Sequence, residues 1–154
     1  MNLSLSLPCS AADLVPHKPP ILCVDKVLAV ADENEAKATS LVRAIAPEAG
    51  PFLCDNQILP EYFIELLAQS VAAVQGFHYM RSNRPIPEGM LAAIDHFTMH
   101  HQVVPGDALS VSLWQTMNFG SISVVEGAVS RDECILAQGR LKIWHQDQPE
   151  ENGK

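Results

Sequence analysis

Residues Leu59–Ser82 have the sequence LPEYFIELLAQSVAAVQGFHYMRS, and this stretch decides the fold. Its apolar side chains recur at the three- and four-residue spacing of a helical face. The members of this apolar stripe are Ile64, Leu67, Ala68, Val71, Ala72, Val74, Phe77 and Met80. Pro60 suits the first turn of a helix, Arg81 suits the last turn, and Pro85 prevents further extension. A stripe this wide predicts a long helix enclosed by other elements.

Two polar side chains interrupt the apolar surface of this helix. Glu65 and Gln69 are four residues apart and therefore lie on the same side of the helix. A carboxylate in this position either extends its charged end to the protein surface or has a catalytic role. Function therefore depends on the surroundings of Glu65.

The composition is that of a globular domain with an acidic surface. The chain has 154 residues, of which 47% are hydrophobic, and a formal net charge of −8 at pH 7. This length suffices for one domain with a substantial core, and the acidity argues against a nucleic-acid-binding protein. The sequence contains no apolar run long enough to span a bilayer, and its start lacks the basic segment of an export signal. The four scattered cysteines predict reduced thiols and a cytoplasmic protein.

The rest of the chain alternates between strand patterns and polar turns. The predicted strands are Ile21–Ala31, Lys37–Ile45, Met90–Met99, Leu109–Met117, Ser121–Ser130 and Cys134–Trp144. Two strands, a long helix and about four further strands predict an α+β domain, in which a curved antiparallel sheet of about five to six strands wraps the central helix. We expect one domain over residues 1–154, with its core at about 14–145 and a flexible acidic tail at 146–154.

Three segments resemble the hotdog-fold β-hydroxyacyl-[acyl-carrier-protein] dehydratases. Residues 16–27, with Pro-His-Lys followed by ILCVDKV, are similar to the proline–histidine–arginine and LLVDRV opening of that family. Glu65–Gln69 resembles its helical E-A-x-A-Q string. Residues 94–107 resemble I-D-x-x-x-F followed by V-V-P-G-D, with Met99 in place of the phenylalanine. The resemblance spans roughly residues 14–144 and implies the hotdog fold.

One departure from the family concerns the catalytic base. The dehydratases carry a histidine in an H-F-P-G-H-P-x-M-P-G loop before the helix. The corresponding loop, Phe52–Pro60, contains neither histidine nor glycine, and Glu61 replaces the glycine that follows the last proline. The helix is more similar to relatives from aryl-polyene and similar polyketide-like gene sets, and this subgroup is our prediction.

The resemblance implies elimination of water from a 3-hydroxyacyl thioester. This reaction needs a base for the proton on C2, an acid for the hydroxyl on C3 and hydrogen-bond donors to the thioester oxygen. Enclosure in an apolar tunnel would favour a protonated Glu65, which could then be the acid. Our candidate catalytic residues are Glu65, Gln69, His17 and Asp55. Our candidate substrate-binding residues are Cys54, Leu59, Pro60, Glu61 and Tyr62, because the first backbone N–H groups of the helix could polarise a carbonyl.

The same resemblance predicts how the substrate is carried and how the protein assembles. The spacing of the histidines bears on metal binding. We expect an acyl chain carried on the phosphopantetheine of an acyl carrier protein or on coenzyme A, and no other cofactor. The family takes its acid and base from different protomers, which implies a homodimer or higher oligomer, and we expect no membrane partner. His96, His100 and His101 lack the spacing of a metal site, so we expect no metal. Some of the scattered arginines could bind the phosphopantetheine arm or the acidic carrier protein.

Two other functions and several structural roles stay open at this stage. The same fold hosts thioesterases in which a helix carboxylate activates water, and a non-catalytic acyl-binding subunit could retain the tunnel without the base. Glu65 could be a paired structural carboxylate, Gln69 a satisfied buried amide and His17 a histidine bonded to backbone. Asp55 suits a turn, and Cys54 suits a small apolar position.

Overall fold

The computed structural model describes residues 5–32 and 38–146. Its one α-helix longer than a single turn within these ranges is α1, which spans Glu61–Arg81 and confirms the predicted long helix. Asn83 ends the helix in a left-handed conformation at φ 53°, and the N–H of Arg84 donates to the Tyr79 carbonyl at 2.9 Å. This bond pattern is the Schellman ending, in which asparagine is the usual alternative to glycine.

A seven-stranded antiparallel sheet packs against α1. In chain order the strands are β1 (Cys9–Ser10), β2 (Val24–Ala29), β3 (Ser40–Ile45), β4 (Leu53–Cys54), β5 (Gln57–Ile58), β6 (Gly89–Met99), β7 (Ala108–Phe119), β8 (Ile122–Arg131) and β9 (Cys134–His145). The order across the large sheet is β1-β2-β3-β7-β8-β9-β6, while β4 and β5 pair separately. A long helix held against a large antiparallel sheet is the predicted hotdog fold.

The large sheet has seven strands, slightly more than the five to six predicted. The additional strand is β1, which pairs Cys9 with Val27 and Ser10 with Lys26. A strand of two residues has no periodicity, so no sequence pattern could predict it. The first predicted strand is also shorter than expected, because Ile21 still belongs to a turn in which its N–H donates to the Lys18 carbonyl at 2.9 Å.

The loop that delivers the chain to α1 contains a small hairpin. Its strands β4 and β5 pair Leu53 with Ile58 and Cys54 with Gln57, which leaves Asp55 and Asn56 as a two-residue turn. Both turn residues have positive φ, 50° and 61°, as a type I′ turn requires. None of the predicted strands includes this hairpin, although the Asp-Asn pair is the turn signal that could have indicated it.

Strand β6, predicted over Met90–Met99, contains an irregularity in its pairing with β9. Asp95 pairs with Arg140 and Thr98 with Gln138, so β6 has one residue more than β9 over this stretch. His96 lies in the resulting bulge with φ at 52°. A bulge shifts the side-chain alternation by one residue. Simple strand alternation, which would place His96 and Thr98 on one face, therefore does not hold in this part of β6.

A single hydrophobic cluster joins the helix to the inner face of the sheet. In β3, Ser40, Val42 and Ala44 are buried while the residues between them are exposed, as expected for a strand with one covered face. Phe63, Leu66 and Leu67 of α1 are almost completely buried. Among the residues described, no helix is long and apolar enough to cross a membrane. The predicted acidic tail lies outside the described ranges except for Gln146.

Gly76 lets the segment before β2 approach α1 closely. A Cβ atom at this position would overlap the carbonyl oxygen of Leu14 and lie 3.2 Å from the Leu14 Cβ. The obstacle is backbone, which cannot rotate away as a flexible side chain can. This contact therefore fixes the path of the chain that leads to His17.

We expect Gly76→Ala to destabilise the protein by about 1–2 kcal/mol, because the overlap outweighs the gain in helix propensity. Urea unfolding followed by circular dichroism measures the change. Gly89→Ala is the control, since its added methyl would meet nothing closer than 3.5 Å and should change stability by less than about 0.5 kcal/mol. Equal stability of Gly76→Ala and the parent chain would contradict the close packing.

Candidate active site

A cleft of about 740 Å³ lies beside the middle and C-terminal part of α1. Its other walls are the segment from Asp13 to His17 and the segment from Ile86 to Leu91, which includes the start of β6. Glu65, Gln69 and His17 all line this cleft. The structure therefore brings together three of the four predicted catalytic residues, although His17 and Glu65 are far apart in the sequence.

Gln69 anchors the site to the backbone of the segment before β2. Its Oε1 accepts from the N–H of Cys23 at 2.7 Å, and its Nε2 donates to the carbonyl of Ile21 at 2.9 Å. The same Nε2 donates to Glu65 Oε1 at 2.7 Å. The side chain is buried, and each of its polar atoms is satisfied. Gln69 therefore holds the Glu65 carboxyl in a fixed orientation relative to that segment.

His17 lies next to the same carboxyl oxygen. Its Nε2 is 3.7 Å from Glu65 Oε1, just beyond hydrogen-bond distance. The side chains of His17 and Glu65 are 31% and 34% exposed, so both reach solvent through the cleft. His17 Nδ1 is buried and has no hydrogen-bond partner within the described part of the chain. Nε2 is therefore the ring nitrogen that faces Glu65.

The other predicted site residues do not line this cleft. They precede Glu65 along the chain, whereas the cleft extends towards the C-terminal end of α1. Asp55 is an exposed turn residue of the β4–β5 hairpin, next to an exposed Cys54. The N–H of Tyr62 already donates to the carbonyl of Leu59 at 3.0 Å. Leu59 and Pro60 lead from the hairpin into α1, and Glu61 is the first residue of α1.

Tyr62 and Cys23 form a buried layer beneath the site. The Tyr62 hydroxyl has no hydrogen-bond partner among the residues described, and burial, followed by the neighbouring Cys23, raises its pKa. Burial raises the pKa of the Cys23 thiol to about 12, with a further contribution from the charge of Glu65. The sequence predicts only that Cys23 belongs to a strand, because no local pattern shows that it lies near Glu65.

The buried thiol gives a test of this packing. At mildly alkaline pH we expect iodoacetamide to modify the exposed Cys54 and Cys134, and to modify Cys23 at least about a hundredfold more slowly, because the thiolate is the reactive form. Peptide mass spectrometry of the native protein measures the three rates, and a sample in denaturant gives the unprotected rate. Equal rates for Cys23 and Cys134 in the native protein would show that the segment is not packed against α1.

Elsewhere in the chain, charged groups have structural partners. Arg131 forms an ion pair with Asp107 at 2.6 Å, and the Asp107 carboxylate also accepts from the Val104 N–H. These two donors lower the pKa of Asp107 and fix the turn before β7.

No group of three or more His, Cys, Asp or Glu side chains in the ranges 5–32 and 38–146 is arranged to hold a metal ion, and this includes His96, His100 and His101.

Comparison with known proteins gives the family. A model described as ApeP-like, ApeP dehydratase, matches residues 9–153. The 3-hydroxyacyl-[acyl-carrier-protein] dehydratase FabZ of Natranaerobius thermophilus is 33% identical over 133 residues, which cover 84% of this chain and 89% of that protein. The enzyme of the same description from Streptococcus thermophilus is 31% identical over 133 residues, with the same two coverages of 84% and 89%.

A solved structure agrees with the fold. The chain has a TM-score of 0.77 against a structure titled the dehydratase heterocomplex ApeI:P from Xenorhabdus doucetiae, at 21% identity and with 94% of each chain covered. At this identity the likeness supports the architecture alone. The family model, which covers nearly the whole chain, and the 33% identical relative carry the assignment. This chain belongs to the ApeP-like family of dehydratases.

Proposed function

We propose that this protein eliminates water from a 3-hydroxyacyl thioester in fatty-acid or polyketide-like biosynthesis. The observation that carries the proposal is the His17–Glu65 pair, whose Nε2 and Oε1 atoms are 3.7 Å apart at one wall of a large cleft. An imidazole and a carboxyl group are the base and the acid that the elimination needs. The membership in a dehydratase family and the relatives described as 3-hydroxyacyl-[acyl-carrier-protein] dehydratases support the same reaction.

In the proposed reaction, His17 Nε2 removes the proton from C2 of the substrate. Electrons of the C2–H bond form the C2–C3 double bond, and the C3–O bond breaks. A protonated Glu65 gives its proton to the leaving hydroxyl, which departs as water. The products are a 2,3-unsaturated thioester, a protonated His17 and an ionised Glu65. Both side chains reach solvent through the cleft, so His17 can lose its proton to water and Glu65 can regain one for the next cycle.

The hydrogen bond from Gln69 decides which carboxyl oxygen meets the substrate. Gln69 Nε2 and His17 Nε2 both face Glu65 Oε1. Oε2 is therefore the oxygen that the arrangement can present to the C3 hydroxyl. Holding an acid in a single rotamer in this way lowers the reorganisation needed during the reaction. Gln69 is a positioning residue in this mechanism.

We propose phosphopantetheine, of an acyl carrier protein or of coenzyme A, as the carrier of the substrate, with no further cofactor. Arg84 supports this, because its guanidinium stacks over the Tyr79 ring at 4.7 Å and Tyr79 lines the cleft. An arginine held in place by an aromatic ring is suited to bind a phosphate group. Arg131 and Arg140 have carboxylate partners and are less available for this role.

We also propose that the protein works as a dimer or a larger assembly. Strand β6 is an edge of the large sheet, and its start forms a wall of the cleft. Met90 is 63% exposed there, and Leu91 and Met99 are exposed as well. An exposed apolar edge strand is a site for pairing with a second chain. Pairing along β6 would cover the mouth of the cleft, and the structural neighbour titled a heterocomplex supports assembly.

The setting proposed for this reaction is the cytoplasm and an aryl-polyene type of biosynthesis. The four cysteines are free, as expected in a reducing compartment. The helix string Glu65–Gln69 resembles the aryl-polyene subgroup, and the matching family model supports a dehydratase.

Mass spectrometry of a 3-hydroxyacyl thioester incubated with the protein tests the reaction. We expect the substrate to lose the mass of one water molecule, and Glu65→Ala to abolish this loss. Release of the free acid would instead indicate a thioesterase. Unchanged substrate on both carriers, with the assembled protein, would overturn the proposed activity.

A further inference from the structure

The large sheet has an outer face, formed by the side chains of β3, β7, β8 and β9 that project away from α1. Residues opposite each other in an antiparallel pair project to the same side of a sheet. Leu41 is exposed on β3 and lies opposite Ser112, so the register carries the outer face onto β7 and β8. Val124 and Ala128 of β8 belong to this face. They are 8% and 6% exposed, yet neither is part of the hydrophobic cluster around α1.

The outward residues of β7 and β8 lack the charges of a solvated sheet. Along β7 they are Ala108, Ser110, Ser112, Trp114, Met117 and Phe119. Along β8 they are Ile122, Val124, Glu126, Ala128 and Ser130. A sheet with one solvated face normally alternates apolar residues inside with polar and charged residues outside. Here Glu126 carries the one charge among these side chains, and the small residues in the middle let another surface approach closely.

One end of the outer face is an exposed apolar row. Phe119, Ile122, Trp144 and Met90 lie opposite one another across β7, β8, β9 and β6. Phe119 and Met90 are each 63% exposed, and Trp144 is 39% exposed. The two tryptophans of the chain, Trp114 and Trp144, both belong to this face. An exposed apolar row beside tryptophan is typical of a protein-binding surface, where tryptophan contributes much of the binding energy.

The charged side chains of the outer face are paired within the chain. Glu126 accepts from Trp114 Nε1 at 3.0 Å and from Arg140 at 3.1 Å. The other ion pairs are Lys142–Asp95 at 3.0 Å and Arg43–Asp25 at 3.7 Å. The whole chain has a net charge of −8, so most surfaces of two copies repel each other. A contact between two outer faces opposes no unpaired like charges, whereas a strongly charged partner would find no counter-charge there.

We propose that the outer faces of two copies pack against each other as two stacked sheets. Four strands about 4.8 Å apart and up to roughly 35 Å long present on the order of 600 Å² of face. Two copies then bury on the order of 1,200 Å² in total, which is the size of a stable specific interface. This contact uses the face of the sheet, whereas pairing along β6 uses its edge, so one assembly can contain both. The inference depends neither on the proposed dehydration nor on the β6 pairing.

Light scattering of the purified full chain measures the mass of the assembly, and Ser112→Arg tests the contact. Ser112 lies in the middle of the outer face, between Leu41 and Ala128. In a separate copy the introduced side chain extends into water, but in the stacked pair two of them meet at one interface without partners. We expect the parent chain to form a pair or, with β6 pairing, a group of four, and Ser112→Arg to halve that mass. The association should weaken at least about a hundredfold.

Tryptophan fluorescence assigns the contact to this face. Dilution of the parent chain to single copies should shift its emission to longer wavelength, because Trp114 and Trp144 leave a covered surface. Ser82→Arg, the same substitution at the exposed end of α1, is the control and should keep the parent mass. Ser110→Arg is the second test variant if Ser112→Arg does not fold.

Three results would each overturn the proposal. The first is a parent chain that stays a single copy in the concentrated sample. The second is an equal mass for the parent chain and the test variant, which would leave the outer face to a different protein. The third is dissociation of the parent chain to single copies without a change in tryptophan emission.

Discussion

Replacing Glu65 by glutamine should leave the protein folded and reduce the rate of dehydration by about a thousandfold, within the range that general acid–base groups contribute. Glutamine has nearly the same shape, and its oxygen can still accept the hydrogen bond from Gln69. It has no proton to give to the leaving hydroxyl. The measurement is kcat/KM for a 3-hydroxyacyl thioester, together with the melting temperature as a check on folding.

Two further variants make this prediction specific. Glu133→Gln removes a carboxylate from the exposed β8–β9 turn and should keep full activity. His17→Ala should lose about as much activity as Glu65→Gln, and the double variant should lose little more than either one, because an acid and a base that act as a unit are not additive. A Glu65→Gln protein with more than a tenth of the parent activity would exclude Glu65 as the acid.

The sequence predicted the helix and the long strands because their signals are local. The apolar stripe of Leu59–Ser82 lies within one element, and so does the alternation in β7, β8 and β9. The features it did not predict depend on contacts with distant segments or on single residues. Strand β1 exists only because it pairs with β2, and the bulge at His96 appears only against its partner β9.

The candidate site likewise contains features that the sequence could predict and features that it could not. Glu65 and Gln69 lie one helical turn apart, so the sequence could place them together. The proximity of His17 could not be derived from spacing, because it depends on Leu14 packing against Gly76 and on Gln69 binding the backbone of Cys23. The residues around the start of α1 were expected at the site from the resemblance and because the first N–H groups of a helix can polarise a carbonyl. In this chain their loop forms a short hairpin that lies away from the cleft.

Gln69→Leu should destabilise the protein by about 2–4 kcal/mol, because it leaves the N–H of Cys23 and the carbonyl of Ile21 without their partner in a buried place. Urea unfolding measures the loss. Gln57→Leu on the exposed strand β5 is the control and should change stability by less than about 0.5 kcal/mol. A Gln69→Leu protein as stable as this control would show that these hydrogen bonds do not hold the segment.

Gln69→Glu separates the positioning role from the structural one. The new carboxylate can still accept from the Cys23 N–H, but it cannot donate to Glu65, whose Oε1 would lie at hydrogen-bond distance from it. Two carboxyl groups this close retain a proton between them in the folded state that the unfolded chain releases. The folded state then binds more protons than the unfolded state, so stability should fall as pH rises through the carboxyl range. The loss of stability in Gln69→Leu should not increase with pH in this way. If stability depended on pH equally in the two variants, residue 69 would not face the Glu65 carboxyl.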